Sequence, residues 1–396
     1  MKLSRRAMQA EVPQAYKMYR IGEELNSKKE RFINLSLGAP AFNTSLQILQ
    51  ALEGKNIPGQ ARYSLPRGCP ELVAAIRAKL RRENYLLYND SEIMVSTSAR
   101  QASANAIFAL IEPGDEVLLP TPYWPTTVGQ VQLAGGVVKM IPCSPANGFK
   151  LQPEALHSAI TAKTKLLLFS SPSNPSGCVY SARELEQLAE VLERYPRIGI
   201  ISNEVFEYFN YGIGHTSLAC FPPLRDRVVI VNGIGKGYGM AGWRIGYMAG
   251  PQWLIHACER VQQQVTSGIN NVAQYAAIIA LRENRRFMQQ QVQQLSQQRD
   301  FLVSSLAALG FQVNKPQGTF YVFPSVEPFV SMRYRQSVIT CGDDLALHLF
   351  KHSGVATVGG GIFGSPMHIR ISYTSDMKTL QEGVDRIEFG LSLLYK

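Results

Sequence analysis

Through its middle the chain alternates short apolar runs with stretches whose apolar side chains recur every three or four residues. The short runs at 116–119, 137–141, 165–170, 198–202 and 228–231 read as strands. The stretches at 101–111, 153–160 and 182–195 read as helices. That rhythm predicts an α/β fold with a mostly parallel central sheet covered on both faces. Ligands in such sheets bind beyond the carboxyl ends of the strands. After residue 250 the pattern changes. Two long polar-apolar helices are expected at 253–265 and 285–309, the second rich in glutamine and arginine and long enough to link two domains. Strands at 311–313, 319–323 and 368–373 complete a compact α+β tail. The expected division is a large domain, 40–290, and a smaller one from both termini, 1–39 and 291–396.

With 396 residues there is enough chain for one large core and a smaller domain. A formal charge of +10 would suit nucleic acid. However, lysine and arginine are spread along the chain in nothing longer than pairs such as Lys28-Lys29 and Arg81-Arg82. A solvated surface that helps to attract anionic substrates is expected, with no nucleic-acid partner. The cysteines at 69, 143, 178, 220, 258 and 341 form no CxxC pair and read as reduced thiols. No apolar core follows the basic residues of the N-terminus, and no apolar run of about 20 residues is present to span a bilayer. A cytoplasmic protein without a membrane segment is expected.

The most specific chemistry lies at 228–247, where an apolar strand runs into a loop with glycines at 233, 235, 237 and 239 around Lys236, and Arg244 follows. Glycines leave room for a bulky group near the main chain. A lysine held there, desolvated and near a second cation, has its amine pKa lowered enough to condense with an aldehyde. Arginine can fork two hydrogen bonds onto a phosphate. An aldehyde and a phosphate together describe pyridoxal 5′-phosphate. On residue types alone a glycine-rich surface loop with a solvated lysine fits as well.

The segment resembles the Schiff-base lysine motif of fold-type I, pyridoxal phosphate-dependent aminotransferases of the aspartate aminotransferase superfamily. The resemblance runs from about residue 32 to 375 through separate motifs in the family's order. It implies a homodimer with shared active sites, acting on an amino acid and a 2-oxo acid, with Lys236 as the catalytic residue. The turn Ser96-Thr97-Ser98-Ala99-Arg100 is similar to the family's phosphate cup, with Ser98 where relatives often have glycine. Trp124 in Pro122-Tyr123-Trp124 matches the aromatic that stacks on the cofactor. Asn174 in Asn174-Pro175-Ser176-Gly177 matches the donor to its phenolic oxygen and lies beside the substrate. Tyr63 resembles the tyrosine that reaches the other subunit's phosphate. Arg370, on the alternating strand His368-Ile369-Arg370-Ile371, matches the clamp on the substrate carboxylate, and Gly38 the loop lying over the substrate.

One stretch departs from the family. Where it has Asp-Glu-x-Tyr, this chain has Asn203-Glu204-Val205-Phe206. A neutral Asn203 can hydrogen-bond the ring nitrogen but cannot hold it charged, and Phe206 lacks a hydroxyl for the phenolic oxygen. The expectation is an aminotransferase with altered electronics. The alternative is a site retuned for β-elimination, oxidative or carbon–carbon bond chemistry.

Rival readings are weaker. A dinucleotide fold would need a glycine at 238, where Tyr238 stands, and an acidic residue near 255, where His256 is the nearest titratable group. A transcription regulator with this domain would need a DNA-binding domain, and about 30 residues precede the first motif. His348 and His352, four apart, lack a third ligand and read as a solvated helix face, with no metal expected.

Overall fold

A computed structural model of the chain describes residues 32–40, 42–53, 57, 59, 61–282 and 286–396, with residues 2, 4 and 8. Most of the segment 1–31, expected in the smaller domain, therefore lies outside the described residues.

The strands run β1 (Ile33–Asn34), β2 (Ile93–Ser96), β3 (Glu116–Thr121), β4 (Val137–Pro142), β5 (Thr164–Ser170), β6 (Gly199–Asn203), β7 (Val228–Gly233) and β8 (Gly246–Ala249). After them come β9 (Tyr321–Val322), β10 (Arg333–Tyr334), β11 (Ser337–Val338), β12 (Val355–Ala356), β13 (Val358–Gly359) and β14 (Ile369–Ser372). β2 to β8 form one sheet in the order β2-β8-β7-β6-β5-β3-β4. Its pairs are parallel except those of β8, which runs antiparallel to both β2 and β7. All five strands expected in the middle of the chain are present, and the sheet is mostly parallel as the pattern required. β2 is the short strand expected to lead into the turn at Ser98, and only β8 was not anticipated.

Burial explains the parallel core. Val228, Val229, Ile230 and Val231 of β7 are all fully buried, as a strand covered on both faces demands. Each such side chain contributes roughly 1.5–3 kcal/mol on leaving water. Helices Ala99–Leu110, Pro153–Ala159 and Ala182–Glu193 stand where periodicity placed them, within two residues at either end. Ser181 and Glu184 close a capping box on the last of these, a device worth about 1 kcal/mol.

A second core gathers β1, β9, β12, β14 and helices Arg286–Ala308, Gly342–Ser353 and Met377–Ser392 around Phe320, Tyr321, Ile371 and Leu380. The strand expected at 311–313 is reduced to a single bridge, Gln312 with Ser325. Helix Gly342–Ser353 corrects the reading of its two histidines. His348 is buried and its Nε2 lies 2.8 Å from the Gly390 carbonyl, while His352 is half-buried. Both rings pack on Tyr334, so they cement helices together and do not form a solvated face. Among the described residues no group of His, Cys, Asp or Glu is arranged to hold a metal, and no helix is long and apolar enough to cross a membrane.

Candidate active site

The carboxyl ends of the parallel strands converge on a cavity of about 570 Å³. β7 leads into the loop of Lys236, β6 ends at Asn203, β5 leads to Asn174, β3 to Trp124, and β2 to Ser98. Arg370 enters from β14 and Gly38 from the strap that follows β1. Every site residue expected from the sequence lines this cavity except Tyr63, which is 99% exposed on the surface.

Lys236 is half-buried as a whole, but its amine is enclosed. Nζ donates to the Gly38 carbonyl and lies 5.5 Å and 5.7 Å from the ring centroids of Phe206 and Phe320. Burial of the amine, reinforced by Arg370, Arg100 and Arg244, pushes its pKa down to about 7. Much of it is therefore the neutral, nucleophilic form at physiological pH.

The turn after β2 has the geometry of an anion site. Ser98 caps helix Ala99–Leu110 with φ 84° and ψ 156°, a conformation that glycine adopts freely and serine does not. It lets the first-turn N–H groups, which a helix leaves without internal partners, face the cavity. β8 lies against this turn, and a Cβ on Gly246 would overlap the Ser98–Ala99 peptide. Arg244 is exposed, in the left-handed region at φ 60°, and its Nη1 donates to the Ala241 carbonyl at 3.0 Å. Together with Arg100 it adds positive charge to the mouth of the turn. Strain at position 98 predicts that Ser98→Gly raises stability by about 1 kcal/mol, the relief exceeding the entropy added to the unfolded chain. A melting temperature unchanged or lowered in thermal unfolding would contradict this.

Arg370 is 1% exposed. Its Nη1 donates to Asn174 Oδ1 at 3.1 Å and its Nη2 to the Ser36 carbonyl at 2.9 Å. Asn174 thus has its oxygen turned to Arg370, leaving its amide N–H groups as donors. The indole of Trp124 lies 5.8 Å from the guanidinium and the Phe363 ring 5.1 Å.

Asn203 Oδ1 accepts from the Val205 N–H at 3.3 Å, which leaves its amide nitrogen available as a donor. Phe206 packs edge-on against Phe320 and Tyr321, so an apolar surface stands where a hydroxyl was expected of the family. Behind these residues lies a polar lattice. Buried Glu204 accepts from Ser202 Oγ and Ser217 Oγ and pairs with His215 Nε2 at 3.0 Å. Burial works against charge on His215, yet Glu204 outweighs it and the pKa is raised. Glu207 takes hydrogen bonds from Lys79, Asn84 and Asn232. This lattice holds the turn after β6 against β7 and the helix Pro70–Asn84, and so aims Asn203 and Phe206. Sequence reasoning missed the lattice, the Ser36 carbonyl and Tyr321. Several of their partners are far away in sequence, as Glu207 is from Lys79 and Arg370 from Ser36, and no local pattern marks them.

Residues 30–387 match the family of class I and II aminotransferases. The chain belongs to this family and is an aminotransferase. It is 38% identical over 365 residues to a bifunctional aspartate aminotransferase and glutamate/aspartate-prephenate aminotransferase of Petunia hybrida, covering 91% of this chain and 76% of that protein. It is 38% identical to a probable aspartate/prephenate aminotransferase of Rhizobium leguminosarum bv. phaseoli, covering 92% of each. The crystal structure of the aspartate aminotransferase from Rhizobium meliloti superposes over all of both chains with a TM-score of 0.96 at 34% identity. The Thermus thermophilus aspartate aminotransferase with maleate superposes at 0.91, with 32% identity over 98% of this chain and 100% of that one. These relatives favour transamination over the retuned chemistries that Asn203 and Phe206 left open.

Proposed function

We propose that the cavity binds pyridoxal 5′-phosphate and that the chain uses it to move an amino group between an L-amino acid and a 2-oxo acid. The observation that carries this reading is Lys236, an amine with a pKa near 7 held where Arg100, Arg244 and Arg370 converge. The donor set fits the group. The Ser98–Arg100 turn and Arg244 would take its phosphate, Trp124 its ring face, Asn174 its phenolic oxygen and Asn203 its ring nitrogen. When bound, the cofactor supplies an aldehyde conjugated to an electron-withdrawing ring. Lys236 would supply the amine for that aldehyde, with loss of water, and would then carry a proton to and from the substrate α-carbon. Arg370 would orient the substrate through its α-carboxylate. Gly38, on the strap that follows β1, lines the same space, and its carbonyl accepts from the Lys236 amine.

The reading extends to a cytoplasmic homodimer. Tyr63, fully exposed on one chain, would reach the phosphate bound by the other. It also extends to a large domain, 40–290, and a smaller one, 1–39 and 291–396, in support of which the core around Phe320 and Ile371 draws mostly on the second. The relatives' names make aspartate the first amino donor to test.

The test is to incubate the purified protein with pyridoxal 5′-phosphate. A yellow band should form that borohydride bleaches, fixing the cofactor to Lys236 on peptide mapping. Its rate of formation should rise with pH through about 7, because only the unprotonated amine attacks. The protein should sediment as a dimer. Material that stays colourless, or cofactor fixed to another lysine, rejects the proposal.

A further inference from the structure

Tyr321 belongs to none of the motifs above and stands behind the cavity wall, yet its ring lies against Arg370, which lines the cavity. β9 lies beside β14, with Val322 opposite Ile371 and Tyr321 opposite Ser372, which sets Tyr321 next to the strand that carries Arg370. The guanidinium of Arg370 lies 4.4 Å from the centroid of its ring, closer than to Phe363 or Trp124. The ring is thus a floor under the guanidinium and restricts its plane. Phe206 meets the same ring edge-on at 6.1 Å.

The hydroxyl is what the ring alone does not explain. Tyr321 is fully buried, and its Oη has no hydrogen-bond partner among the described residues. Arg370 Nε is buried without a partner as well. A buried hydroxyl left unpaired is unfavourable, and phenylalanine would supply the same ring face without it. Burial pushes the phenol pKa up to about 12, so the group keeps its proton and is a donor. Two unsatisfied donors on one pair of stacked groups call for an acceptor. The hydroxyl also lies 3.5 Å from where a Cβ on Gly38 would stand, beside the strap whose Gly38 lines the cavity.

We propose that Tyr321 is a further substrate-binding residue, whose ring sets the plane of the Arg370 guanidinium and whose hydroxyl donates to the carboxylate of the bound amino acid or 2-oxo acid. This rests on the reading of Arg370 as the carboxylate anchor. Phe206 leaves the neighbouring wall without a hydroxyl, and Tyr321, whose ring lies against Arg370, is placed to act there.

The test uses the holoenzyme and the amino acid that bleaches the wild-type cofactor band fastest, together with the 2-methyl derivative of that amino acid, which binds but has no α-proton to lose. Tyr321→Phe keeps the ring and removes the donor. Its KM for the amino acid and its Kd for the 2-methyl derivative should both rise about tenfold, the loss of one hydrogen bond to a charged group. Its kcat should stay within about twofold, since the hydroxyl binds ground and transition states alike, and its melting temperature should not fall. Tyr321→Leu removes the ring too and should weaken binding further. Unchanged KM and Kd in Tyr321→Phe, or a fall in kcat at unchanged KM, overturns the assignment. A wild-type protein whose cofactor band responds to no amino acid overturns the Arg370 reading instead, so the two failures are told apart. Should Tyr321→Leu not fold, Tyr321→Phe still decides the question.

Discussion

Replacing Lys236 by alanine should cut turnover by at least about 10⁴-fold while leaving a folded protein that still takes up pyridoxal 5′-phosphate. The size follows from the role. A positioned general acid/base contributes roughly 10²–10⁴-fold, and here the same amine is also the covalent attachment point. Binding should survive because the phosphate turn, Trp124 and Asn174 are on other segments. The fold should survive too, since the mutation removes an amine that burial and three arginines already hold against charge. Borohydride should no longer fix cofactor to the protein, although its absorbance should remain with the protein after gel filtration. A variant that keeps more than a few per cent of wild-type turnover would remove Lys236 from the centre of the mechanism. One that loses the cofactor altogether would show that the remaining contacts are too weak to hold it.

Asn203→Asp should raise the rate of the amino-acid half-reaction by about 30-fold. The two side chains are nearly the same shape, so the carboxylate can keep the hydrogen bond from the Val205 N–H. The change is therefore mainly electrostatic. A full charge about 3 Å from a ring nitrogen interacts by roughly 5 kcal/mol at an effective dielectric constant of 20. Roughly 2 kcal/mol of differential stabilisation as negative charge develops on the substrate α-carbon corresponds to about 30-fold. The carboxylate holds the ring nitrogen protonated, which the neutral amide cannot do. Stopped-flow spectra of a single half-reaction measure this directly. An unchanged or slower rate would show that the electron demand of the ring is not what limits this enzyme, and that Asn203 serves another purpose. Phe206 should temper the gain, because the hydroxyl missing at that position is not restored.

Much of the site could be read from the chain. Glycines around Lys236 mark a close approach to a bulky group. An arginine amid alternating apolar residues marks Arg370 as a paired, buried cation. The turn at Ser98 shows a polar strand end running into a helix. These signals are local, so they survive without coordinates. The strain at Ser98 was invisible, since a serine for a glycine reads as a mild change until its φ of 84° is known. The packing of His348 and His352 was misread for a related reason: helical spacing shows that two rings share a face but not that Tyr334 and Gly390 cover it.

The order of residues alone therefore determined the sheet's parallel strands and the long helix Arg286–Ala308, because side-chain period is a short-range effect, while most groups at the cavity were assigned through the resemblance to the aminotransferase motifs. Only the folded chain decided that β8 runs against its neighbours, that Glu204 and Glu207 brace the turn behind Asn203, and that Tyr321 lies under Arg370. Most of these contacts join residues well separated along the chain, such as Lys79 with Glu207, that meet when apolar surface is buried, and no local periodicity records which distant partner a side chain will meet.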